Sequence, residues 1–145
     1  MLFRNFWILG VIVGLINSYI IRSRILSIVR QNPELKQEGE QLTKGYFFAL
    51  TLPWLILGIL QLAGGFSDFS YMFSRDLNNI YVLLSRGFII FCLLLYLYWM
   101  VFRNGARSLI KFKLIRGLFS ENERGLKFVA LVGTTASIIS FVMMK

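Results

Sequence analysis

NPELKQEGEQLTKG, residues 32–45, is the one long stretch of the chain with the composition of soluble protein. It carries Glu34, Glu38 and Glu40, three of the seven acidic residues among 145. Either these carboxylates form a reaction site, or they keep a connector wetted between two apolar segments. The spacing favours the connector. Asn32 is suited to cap a helix, Pro33 to fill its first position, and Glu34 to complement the helix dipole in the first turn. Lys36 and Glu40 stand four apart, as do Glu40 and Lys44, the spacing at which ion pairs support an exposed helix. Leu35 and Leu42 share one side, which predicts a face resting on the bilayer surface or on a neighbouring helix.

On either side of this stretch the chain is apolar. It is 57% hydrophobic and 16% charged, whereas a soluble domain carries about 25% charged residues. Residues 5–21, 45–67 and 128–144 hold no charge, and Arg86 is the single charge within residues 77–102. A bilayer crossing takes about 20 mainly apolar residues. The expected spans are therefore about 5–21, 45–64, 79–102 and 125–144 within a single domain, 1–145. This predicts an all-α integral membrane protein, with four transmembrane helices and cytoplasmic amphipathic connectors. The first span has no cleavage pattern after it and reads as a retained helix.

Lysines and arginines set the orientation. Residues 22–44 hold five and residues 103–127 hold seven, which leaves Arg4, Arg75, Arg86 and Lys145 elsewhere. The positive-inside rule puts both rich connectors in the cytoplasm and both termini outside. The net charge of +9 follows from that topology and does not require nucleic acid.

The second connector differs from the first. Arg103, Arg107 and Lys111 recur every four residues, which makes them candidate contacts for anionic lipid headgroups on the cytoplasmic side. Phe102, Leu109 and Phe112 are expected on another side of the same interfacial helix. Ser120 to Glu123 has the spacing of a capping box at the start of the last span. On the other side of the membrane, Phe66, Phe69, Tyr71 and Phe73 are expected in the interface, after a helix end at Gly64 and Gly65.

Within the spans, Gly10 and Gly14 form a G-x-x-x-G, and Gly133 with Ser137 repeats the spacing, as does Ala136 with Ser140. The expectation is that these two small-residue faces pack on each other, within the chain or across a homo-oligomer. Pro53 frees the carbonyl of Ala49, for which Thr51 is a candidate partner. Arg86 is the candidate intramembrane polar site, expected to face the bundle near Gln61. It either snorkels outward or pairs, with Gln61, Ser85 and Asp68 or Asp76 as candidate partners, or it forms a lipid-headgroup or substrate-anion site.

Absences narrow the function. The chain has no histidine and only Cys92 for a thiol, so His-based haem, zinc and triad sites and cysteine-pair chemistry are excluded. No carboxylate lies in a span, against proton-coupled export. No cofactor, metal or catalytic group is expected.

The run NPELKQEGEQLTKGYFFALTLPW (32–54), the glycine pair 64–65 and FRNGA (102–106) together resemble small multi-pass bacterial inner-membrane proteins of unknown function. The resemblance covers about half the chain and implies location and architecture only. The expected function is non-enzymatic: binding of lipid or of a partner membrane protein through helix faces and the basic segment. The alternative is a small oligomeric transporter or channel.

Overall fold

The computed structural model of the protein describes residues 5–73, 78–115 and 122–143. Among the described residues five α-helices follow one another: α1 (Phe6–Gln31), α2 (Lys36–Ala63), α3 (Ile80–Phe102), α4 (Gly105–Lys111) and α5 (Glu123–Met143). Short 3-10 turns at Pro33–Leu35 and Phe69–Phe73 complete the described elements. The helices α1, α2, α3 and α5 are long and apolar enough to cross a membrane. Their surfaces agree: Tyr19, Ile59, Leu62, Phe128 and Val142 are all more than 60% exposed. Apolar surface on that scale is stable in lipid and not in water. The protein is membrane-embedded and all-helical.

The chain divides into two compact units, Met1–Ile89 and Ile90–Lys145. In the first, α1 and α2 form an antiparallel hairpin. The buried residues of α1 are Gly10, Gly14, Ser18 and Ile25, a stripe of mostly small side chains. Without a hydrophobic driving force between helices in lipid, close approach at small residues supplies the packing. Two tryptophans use that approach reciprocally. The Trp54 indole of α2 covers Gly10, and the Trp7 indole of α1 covers Gly58. Beyond them toward the hairpin tip, Gly14 lies against the Leu50 backbone carbonyl.

Both helices are longer than the expected spans. The segment 22–31 contains no glycine or proline, so α1 continues unbroken through it, and Ile25 is buried. Residues 22–44 are thus two helix ends and a tight tip, not a separate connector. Asn32 also acts in the opposite sense to the one expected. Its side chain donates back to the Ile28 carbonyl at 3.3 Å, closing α1, while Pro33 opens the 3-10 turn. Among the described residues no ion pair joins Lys36, Glu40 or Lys44, so the four-residue spacing does not produce the bridges it allows.

At its other end α2 closes in a Schellman turn. Phe66 N–H donates to the Gln61 carbonyl and Gly65 N–H to the Leu62 carbonyl, with Gly65 at φ 65°. The chain then folds onto the hairpin. Phe69 is buried, against an interfacial expectation, because its ring packs 5.8 Å from Phe6 and 6.3 Å from Trp54. Phe66 stacks on Tyr71 at 6.4 Å, and the Phe73 side chain lies outside the described residues. Thr51 is buried with its hydroxyl unpartnered among the described residues, so it does not serve the carbonyl of Ala49. A threonine hydroxyl reaches carbonyls three or four residues back, not two.

In the second unit, α3 ends at Phe102, and Asn104 takes a left-handed conformation (φ 58°) that redirects the chain into α4. Gly105 fits beneath the Trp99 ring, where a Cβ would clash. The break separates Phe102, 72% exposed, from Leu109 and Phe112, which are buried with Ala106. The expected common face of those three therefore does not form. A second Schellman turn closes α4, with Leu114 N–H donating to Leu109 O and Lys113 N–H to Ile110 O. Its left-handed position is Lys113, at φ 46°.

The α5 helix starts at Glu123 and is capped by Asn122, whose Oδ1 accepts from Gly125 N–H at 3.0 Å. Ser120, the expected cap, lies outside the described residues.

The two Schellman turns give substitutions of opposite sign. A left-handed residue costs a side chain about 1 kcal/mol or more that glycine avoids. Gly65→Ala is expected to lower stability by about 1 kcal/mol and Lys113→Gly to raise it by up to about 1 kcal/mol, both read from unfolding in detergent.

Candidate functional site

The segment 103–112, α4 with its flanking residues, sorts its side chains by chemistry. Ala106, Leu109 and Phe112 are buried, while Arg103, Arg107 and Lys111 are exposed. The left-handed Asn104 bends the chain between Arg103 and the rest of the basic stripe, Arg107 and Lys111. A short helix with its apolar side packed and its cations exposed can meet anionic headgroups without burying a charge. Nearby in sequence, Lys127 and Glu123 pair at 2.7 Å on α5, a four-residue ion pair of the orientation that supports a helix.

Arg86 is half-buried on α3, with its Nε shielded from solvent. Its expected neighbours also make hydrogen bonds of their own. Gln61 is 1% exposed, and its Nε2 lies 3.4 Å from the Phe66 carbonyl, so the side chain ties the Schellman turn that its backbone helps close. The Ser85 hydroxyl donates to Tyr81 O at 2.7 Å. Asp68 accepts from Ser70 N–H at 2.8 Å, and that hydrogen bond holds its carboxyl below the usual value. Asp76 lies outside the described residues.

The small-residue faces fare differently from each other. Gly10 and Gly14 are occupied by Trp54 and Leu50 of α2. On α5 the buried stripe is Leu126, Ala130 and Thr134. Gly133 and Ser137 stand beside that stripe and are exposed, and the Ser137 hydroxyl is satisfied within its own helix by Gly133 O at 2.8 Å. Both line a groove of about 500 Å³ between α5 and Tyr96 and Met100 of α3.

Sequence reasoning missed the common level of Arg22 on α1 and Lys44 on α2. The available signal was that these are the first charges met on either side of the tip when leaving each apolar run.

No protein-family model, curated protein or solved structure matches the chain.

Proposed function

We propose that the chain is a non-enzymatic integral protein of the cytoplasmic (inner) membrane, with both termini outside. It binds anionic lipid, or a partner membrane protein, through its helix faces and the basic α4 segment. The supporting observation is the division of residues 103–112, with Arg103, Arg107 and Lys111 exposed and Leu109 and Phe112 buried. The orientation rests on the lysine and arginine asymmetry, and the choice of membrane on the resemblance carried by residues 32–54 and 102–106.

The test is the mass of the particle extracted in mild detergent, together with ion and solute flux in liposomes. Copurifying lipid or partner without flux is the expected result. A bare monomer without lipid or partner overturns the binding reading, and flux would establish the transporter or channel alternative in its place.

A further inference from the structure

We propose that the open groove between α1 and α2 binds one anionic glycerophospholipid, its phosphate held between Arg22 and Lys44. This deepens the lipid-binding reading above and rests on it.

The hairpin register sets the level of the charges. Gly10 lies under Trp54 and Gly14 against Leu50 and Thr51, so a step toward the tip on α1 is matched by a step on α2. Eight residues beyond Gly14, Arg22 comes level with Leu42 and Thr43, within two residues of Lys44. From these two positions back toward the membrane interior, residues 6–21 and 45–63 carry no charge. Arg22 and Lys44 therefore stand together at one edge of the apolar slab, where a phospholipid carries its phosphate.

The groove spans that edge. Its volume is about 860 Å³, within the range of about 300–1,000 Å³ typical of small-ligand sites. Leu15, Tyr19, Phe47 and Phe48 line the apolar end, with Tyr19 and Phe48 more than half exposed. Arg22, Lys36 and Lys44 line the other end against a single carboxylate, Glu40. Among the described residues none of these four makes an ion pair, so the groove keeps an excess of positive charge. Ser18 forms part of the wall between the two ends. It is only 6% exposed, and its hydroxyl has no hydrogen-bond partner among the described residues.

An acyl chain matches the aromatic end and a phosphodiester matches the cationic end. A soluble anion would leave the apolar end unfilled.

The full chain is reconstituted in phosphatidylcholine vesicles containing a minor fraction of phosphatidylglycerol, and retained lipid is counted by native mass spectrometry. Wild type is expected to retain one phosphatidylglycerol. Arg22→Gln with Lys44→Gln is expected to lower retention about tenfold or more. Arg24→Gln with Arg30→Gln, exposed cations of α1 that do not line the groove, is expected to leave that lipid in place. Both sets change side chains outside the helix-packing core, and circular dichroism verifies the helices.

The groove assignment is overturned if wild type shows no preference for phosphatidylglycerol, or if the hairpin double variant retains it as wild type does. Equal loss in the Arg24 and Arg30 variant also overturns the groove while leaving the wider lipid reading intact. Displacement by inorganic phosphate would make the site a simple anion site and overturn the lipid assignment.

Discussion

Gly14→Leu is expected to lower stability in detergent by about 3 kcal/mol or more, the upper part of the range for overpacking. A Cβ at this position meets the Leu50 carbonyl, and backbone cannot rotate away as a side-chain end can. The hairpin must open, and the reciprocal Trp7 and Trp54 contacts open with it. The same substitution at Gly133 or Gly45 is expected to change stability by no more than about 0.5 kcal/mol, since a Cβ there meets nothing within 4 Å. Unfolding curves for the three variants check both statements.

The second large effect is expected at Trp54. Trp54→Ala removes the ring that covers Gly10 and packs against Phe6 and Phe69, at 6.0 and 6.3 Å between centroids. A loss of about 3 kcal/mol is expected, the lower end of the range for Trp→Ala because Trp54 is only partly buried. Trp7→Ala is expected to cost less. Its indole N–H is buried without an acceptor among the described residues, which offsets part of its packing over Gly58. Equal losses at both tryptophans would remove that distinction.

These positions show what the sequence makes legible. Runs without charge locate the four long helices, because apolar length alone decides whether a segment suits lipid. Asn79 and the glycine pair 64–65 mark real helix ends: Asn79 Oδ1 accepts from Tyr81 N–H at 2.9 Å, and Gly65 takes the left-handed position. The α1 end is less legible, because Arg22 ends the apolar run but does not end the helix. Hydropathy marks the edge of the slab, while helix length depends on local breakers and on packing such as that of Ile25.

Partners are less legible still. The Gly10–Gly14 spacing shows that something approaches closely, but not what. A bulky indole opposite a glycine fills the same space as a second small residue at closer range, and the hairpin register selects the indole. Likewise, one left-handed residue at Asn104 separates Phe102 from Leu109 and Phe112, a break that periodicity does not register. For Arg22 and Lys44 the residues are evident, but their common level emerges only once α1 and α2 are aligned.

The most direct test of the proposed topology, four crossings with residues 22–44 and 103–127 facing the cytoplasm, is single-cysteine labelling. Cys92 in α3 is first replaced by serine, and cysteine is then placed at position 36, 68 or 113. An impermeant thiol reagent applied to intact cells is expected to label position 68 alone, with 36 and 113 labelled only after the membrane is opened. Labelling of position 36 or 113 in intact cells would contradict the account.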